Sequence, residues 1–491
     1  MKRKLLGLLA IPILAYVVLL IPEHDVARED LISLSPQREP FAWNQDAFWL
    51  HLQDRYAEAR RQGCEQLRPS IMVLMKNLDA RLRELGHSPL APTADEFSAV
   101  ERSIFECAPS VAACSDWLGA FIERTATARR LVKEHSRHWD MNDPFARRTL
   151  YRLLYGGRAA TEEVLLQMPI DQVPMLIAGS SEPSATPWAS ILGVRIHSGD
   201  ILVSRGGAPT SALIARGNDF PGNFSHVALV HVDAKTHLAS ILESHIERGV
   251  TVSTLEEYLR DTKLRVMILR LRSDLPELLA DPMLPHRAAS LAIEDARRRH
   301  IPYDFEMDYR EHAKLFCSEV ASAPYGELGI TLWMGMSTIS TPGLRSWLAS
   351  FGVRNFSTQE PSDLEYDPQL VVVAEWRDPL TLFKDHLDNA SIDVMLERAE
   401  EGEELGYRWY LLPAARAVKA YSLAVNLFGG IGPIPEGMNA TAALRNTEFS
   451  SRHEAIQQRL EVLADAYASE QGYRPPYWEL VRLARAARDS V

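Results

Sequence analysis

The hydrophobic pattern of this chain changes period near residue 180, and that change limits the folds open to it. Before it, apolar residues recur at steps of three and four: Ile71, Leu74, Leu78, Leu82 and Leu85 line one face of a helix, with Gly86 as its C-terminal stop. Segments at 44–61, 93–107 and 115–138 repeat the pattern, so residues 41–178 read as a helical domain. The stretch Gly179-Ser180-Ser181-Glu182-Pro183-Ser184-Ala185-Thr186-Pro187 has the composition of a linker. Beyond it come short β-rich runs at 200–204, 226–232, 238–243 and 264–271, and helical segments return near 286–299 and 316–328. From about 375 to 491 the pattern is helical again, with Ile456, Leu460, Leu463 and Tyr467 on one face. The expected class is α+β: a small antiparallel sheet with helices over 189–360, between helical N- and C-terminal regions.

With 491 residues, 46% of them hydrophobic, the chain is long enough for more than one core. Its net charge of -12, with no dense Lys/Arg block after the first four residues, removes nucleic acid from the expected partners. Those first residues, Met1-Lys2-Arg3-Lys4, precede an apolar run from Leu5 to Pro22, so residues 1–24 read as a signal anchor or a signal peptide. The run leaves through Leu20-Ile21-Pro22-Glu23, a poor cleavage context, which favours an uncleaved anchor with the bulk of the chain outside the cytoplasm. Residues 25–40 read as a tether. The later apolar run Leu411–Leu427 is interrupted by Arg416, Lys419 and Asn426, so a buried helix ending at Gly429-Gly430 is expected there rather than a second span. Of the four cysteines, Cys64, Cys107 and Cys114 allow three disulfide pairings in an exported chain, each leaving one thiol over. No Cys or His pair has the short spacing of a zinc site, and no metal or other cofactor is expected.

Three residues could carry chemistry. His226 opens an apolar strand, and the next strand ends near Glu243; the turn-like Asp233-Ala234-Lys235-Thr236 lies between them. Folding about the centre of that turn sets Glu243 directly opposite His226, where a carboxylate would hold the imidazole in one tautomer. The competing reading is a surface cross-strand pair, and a one-residue slip would separate the two groups onto opposite faces. Cys317, in Lys314-Leu315-Phe316-Cys317-Ser318-Glu319-Val320, stands where a helical pattern begins. There the helix dipole and unpaired amides would lower the thiol pKa and help to hold an oxyanion. Its competing reading is a buried, inert cysteine.

Ser198-Gly199-Asp200-Ile201-Leu202, then Ser225-His226-Val227-Ala228-Leu229-Val230, Leu242-Glu243-Ser244, Pro302-Tyr303-Asp304-Phe305 and Phe316-Cys317-Ser318-Glu319-Val320 follow one another over about 195–330. This succession resembles the permuted NlpC-type, papain-like cysteine hydrolases, whose histidine precedes the cysteine and which include lecithin retinol acyltransferase-like proteins. The resemblance implies a permuted papain-like core in which Cys317 is the nucleophile, His226 its base and Glu243 the residue that orients His226. His245 takes that orienting place if the strand register slips by two. It further implies that Tyr303 contacts substrate or oxyanion, and that Asp200 has a structural part in starting its strand. Pro324 falls inside the expected nucleophile helix and is expected to kink or shorten it. The insertion between Ile201 and His226 is expected to form a loop over the site. Two substrate classes stay open: an envelope peptide amide, cleaved through a thioester, or an acyl-lipid. A third reading is an anchored, non-enzymatic binding module.

Overall fold

The computed structural model describes residues 16–22, 47–86 and 89–491. The basic start and most of the apolar run that follows it, together with the tether at 25–40, lie outside the described residues. Among the described residues no helix is long and apolar enough to cross a membrane.

Helices Ala47–Gln62, Cys64–Leu85, Asp95–Ala112, Leu118–Ser136 and Pro144–Leu165 build the N-terminal region around one core. In the second of them Ile71, Leu78, Leu82 and Leu85 are buried together with Met75, as the three-and-four spacing requires. A disulfide joins Cys64 to Cys114 and leaves Cys107 as a buried thiol.

Among the described residues eleven strands follow: β1 (Leu176–Ala178), β2 (Trp188–Ile191), β3 (Val194–His197), β4 (Ile201–Gly206), β5 (His226–Val232), β6 (Ala239–His245), β7 (Gly249–Thr254), β8 (Lys263–Leu271), β9 (Ser337–Thr338), β10 (Ser357–Thr358) and β11 (Leu370–Arg377). Seven of them form one antiparallel sheet in the order β1-β11-β8-β4-β5-β6-β7. Side-chain alternation gives each face its own core. Val203, Val227, Leu229 and Met267 pack under helices Leu284–Arg298 and Glu319–Glu327; Leu202, Ala228, Val230 and Ile268 pack with Tyr258 and the β2-β3 hairpin. Gly199, at φ +97°, lets the start of β4 run against Pro285, where an added Cβ would come within 2.3 Å of the proline ring. The architecture is α+β. The sheet also takes its outer strands β1 and β11 from outside residues 189–360; the 179–187 stretch is not a free linker, because Gly179 and Ser180 donate to the carbonyls of Val373 and Val372.

The regions are joined by a buried ionic layer. Arg265 of β8 donates to Glu162 at 2.6 and 3.0 Å and to Asp385, linking helix Pro144–Leu165, the sheet and helix Leu382–Glu400. The insertion after β4 is only in part a loop, the irregular residues 217–225 that lead into His226. Its residues Pro209–Arg216 form a helix, and Arg216 is bound at 2.9 Å by both carboxylate oxygens of Asp393, so charge pairing draws the insertion between the helical regions.

The C-terminal helices Leu382–Glu400, Ala440–Gln471 and Tyr477–Arg488 share a core that includes Ile456 and Leu460. Helix Leu412–Leu427 corrects an expectation, for only Leu412, Ala415 and Ser422 of it are buried. Its polar residues turn inward: Lys419 donates to the Pro435 and Glu436 carbonyls, and Arg416 to the Leu19 carbonyl. Ala414, Ala417, Val418, Tyr421, Leu423, Ala424 and Leu427 are exposed.

Candidate active site

The nucleophile candidate is set by the segment before its helix. Leu315 donates its N–H to the Pro302 carbonyl, Ser244 Oγ donates to the Leu315 carbonyl at 2.6 Å, and Ser318 Oγ donates to the Gln359 carbonyl at 2.6 Å. Glu319 closes the turn by accepting the Phe316 N–H. The helix runs from Glu319 to Glu327 with Ser318 as its cap, so it passes through Pro324 and ends within a turn of it. Cys317 stands one residue before the cap, its sulfur 4.0 Å from the Ser225 carbonyl, on the residue preceding His226. It is only 5% exposed. Burial, joined by the Glu360 carboxyl, pushes its thiol up to about 12; the Val227 and Ser318 amides and the Ser318 hydroxyl pull the other way. The expected lowering by the helix terminus is therefore corrected: in this closed site desolvation outweighs the dipole and the amides.

At the start of β5, His226 Nε2 meets Glu243 Oε2 at 2.9 Å. The register differs from the expected one. Glu243 lies opposite Ala228, two residues along from His226, because the turn sits one residue later: Asp233 N–H donates to the Leu238 carbonyl, and His237 takes φ +57°. A slip of two preserves the face, so the carboxylate still reaches the ring diagonally. His245, two residues on along β6 and on the same face, also meets Glu243, Nε2 to Oε1 at 3.5 Å, and Lys263 Nζ lies 3.9 Å from Oε2. Burial alone would raise the Glu243 carboxyl, but bonds from His226 and His245 and the charge of Lys263 hold it well below the usual range. Burial lowers the His226 pKa, against the pull of Glu243. Glu243 is thus a carboxylate and His226 a neutral ring at neutral pH. With the Nε2 proton on Glu243, Nδ1 is the basic atom. No hydrogen bond joins the His226 ring to the Cys317 sulfur among the described residues; the two meet through the 225–227 backbone.

Tyr303 lies within electrostatic reach of both Cys317 and Glu360; burial, with those groups adding to it, keeps its hydroxyl protonated. It also lines a cavity of about 360 Å³ shared with Phe305, Glu306, Lys314, Arg354 and Glu436. Asp200 is remote from this chemistry. It accepts Arg270 Nε and Nη2 at 2.8 and 2.7 Å and the His197 N–H at 2.7 Å, which fixes the start of β4. Two residues near the centre escaped sequence reasoning. Lys263 begins a strand about twenty residues beyond Glu243, and only the antiparallel return of the sheet brings it there. Glu360 sits in a polar segment with no pattern of its own, yet it is buried, and its Oε2 has no hydrogen-bond partner among the described residues. Burial raises its carboxyl well above the ordinary value.

Residues 195–374 match the family described as permuted papain-like amidase enzyme, YaeF/YiiX, C92 family. The match makes the chain a thiol hydrolase of the cysteine amidase type with a permuted papain-like domain. No curated protein and no solved structure matches it.

Proposed function

We propose that this amidase domain acts outside the cytoplasm and cleaves an amide of a cell-envelope peptide, through a thioester at Cys317. His226 Nδ1 takes the thiol proton as sulfur attacks the carbonyl carbon, and returns it to the nitrogen as the C–N bond breaks and the amine leaves. Water, deprotonated by the same nitrogen, then attacks the thioester carbonyl; the C–S bond breaks, the Cys317 thiolate takes the proton back from the ring, and the acid leaves. Glu243 holds the ring and stabilises its charged form, while the Ser318 amide and Tyr303 contact the oxyanion.

The observation that carries this reading is the 2.9 Å bond between His226 and Glu243 on the strand whose first backbone groups contact the Cys317 sulfur. Attack requires the thiol to turn from the Ser225 carbonyl toward the ring, and catalytic hydrogen bonds of this kind commonly tighten only once substrate is bound. The cavity beside Tyr303, lined by the cations Lys314 and Arg354 and the carboxylates Glu306 and Glu436, suits a peptide bearing both charges better than an acyl chain. The Cys64–Cys114 disulfide favours an oxidising compartment, as does the basic and apolar N-terminus.

One observation favours the acyl-lipid alternative: the apolar outer surface of helix Leu412–Leu427, whose Lys419 holds the carbonyl of the cavity residue Glu436. Incubating the full chain and its Cys317→Ala variant with envelope peptides and with phospholipid vesicles, followed by mass spectrometry, separates the readings. Cys317-dependent release of an amine from peptide supports the proposal. Release of fatty acid alone selects the lipid reading, and no product from either removes both.

A further inference from the structure

A surface helix normally turns its charges to water. Leu412–Leu427 does the reverse. Ala414, Ala417, Val418, Tyr421 and Ala424 form an exposed stripe at steps of three and four, flanked by Leu423 and Leu427. Phe428, just past the helix, is 92% exposed and Leu427 84% exposed. At the other end the stripe begins with exposed Trp409 and Tyr410. The helix's two cations, Arg416 and Lys419, are engaged on backbone carbonyls and do not interrupt it.

A second apolar segment lies alongside. Tyr16, Val17, Val18, Leu19 and Ile21, the end of the N-terminal apolar run, are exposed. They are tied to the same helix: Tyr16 Oη donates to the Tyr410 carbonyl at 3.1 Å, and Arg416 donates to the Leu19 carbonyl at 2.9 Å and to that of Ile21. The two exposed surfaces therefore adjoin.

We infer that helix Leu412–Leu427 with its flanks Trp409–Tyr410 and Phe428 is an interfacial membrane-binding surface, lying in the plane of a lipid bilayer beside the N-terminal segment. The occupant is read from three features together. The stripe is continuous with the sequence that bears the basic-then-apolar pattern of a membrane segment. Trp and Tyr stand at one end, where amphipathic rings suit the headgroup level. The helix has an apolar face in which Lys419 takes no part and whose edge cation, Arg416, is engaged on the carbonyls of the N-terminal segment. The cavity residue Glu436 is held by Lys419 of this helix, so the surface would set the distance of the catalytic cavity from the bilayer. The inference does not depend on which bond the enzyme cleaves.

The test uses the full chain reconstituted with phosphatidylethanolamine and phosphatidylglycerol vesicles. An environment-sensitive fluorophore is attached at Phe428→Cys or, as a control, at Val462→Cys, an exposed position on helix Ala440–Gln471. Lipids with a spin label on the acyl chain should quench at least about half of the emission from position 428, as for a side chain buried below the headgroups, and leave position 462 unchanged. Emission at 428 that stays open to aqueous iodide and insensitive to the lipid spin label overturns the inference. So does shielding at 428 that appears without lipid on adding unlabelled protein, which would mark a contact between copies of the chain. A Leu427→Asp/Phe428→Asp variant, labelled at Tyr421→Cys, should lose the lipid quenching at 421 while its amidase activity on soluble peptide is retained; unchanged quenching would also contradict the inference.

Discussion

His226 and Glu243 are hydrogen-bonded at 2.9 Å although they are not opposite each other in the sheet: Glu243 faces Ala228, and the bond runs diagonally across β5 and β6. The carboxylate serves His226 and His245 at once and lies near Lys263, so its charge is fixed by three neighbours. Glu243→Gln keeps the shape but removes that charge and lets the amide present its NH2 to the ring. The expected result is a fall in kcat of about 10² to 10⁴ with KM little changed, as for the orienting acid of a catalytic triad, measured by steady-state cleavage of a peptide amide. A loss confined to KM would place Glu243 in binding.

Asp200 carries a structural prediction. Its carboxylate meets the buried Arg270 through two bonds and caps the turn that starts β4. Asp200→Ala leaves a buried guanidinium unpaired, which costs about 3–5 kcal/mol. Denaturant unfolding should show that loss, and Asp200→Ala/Arg270→Met should recover part of it.

Glu319 gives a prediction in pH. Burial pushes its carboxyl up to about 9, against the pull of the Phe316 N–H, while in the unfolded chain it titrates near 4.5. A raised acid favours the folded state fully only below the unfolded value, and that contribution is lost as pH rises from about 4.5 through 9. Glu319→Gln, which keeps an acceptor for Phe316, should match the native protein near pH 4 and melt about 2 °C or more above it at pH 9. Equal melting temperatures at both pH values would show that this carboxyl is not desolvated.

The Cys64–Cys114 bond closes a loop of 50 residues in sequence separation. Cys64→Ser should destabilise the N-terminal helices by about 2–4 kcal/mol. Thermal unfolding with and without reductant checks this: reductant should lower the native melting temperature and leave the variant's unchanged.

Much of the fold was legible where one period ruled. The burial of Ile71, Leu78, Leu82 and Leu85 follows from local spacing, and the run His226–Val232 appears as a strand with the same limits. Strands β1 and β11 were not legible, since three residues at 176–178 carry no period and β11 leads into a helical region. The register at Glu243 was missed by two because His237 adopts a left-handed backbone, a conformation uncommon outside glycine that lengthens the turn without marking it in the pattern. Helix Leu412–Leu427 was misread because apolar periodicity shows that a face is apolar, not whether protein covers it. Glu360 could not be found at all; its part comes only from tertiary burial beside Cys317.

The account stands most directly on whether Cys317 forms an acyl-enzyme with the help of His226. Intact-protein mass spectrometry after brief exposure to an activated peptide ester reads this in the full chain. One acyl group should appear on Cys317 in the native protein, none on buried Cys107, whose thiol burial pushes up to about 12. The acylation rate should fall by about 10² or more in His226→Ala. Acylation at an unchanged rate in His226→Ala, or on Cys107 as readily as on Cys317, would contradict the assignment of nucleophile and base.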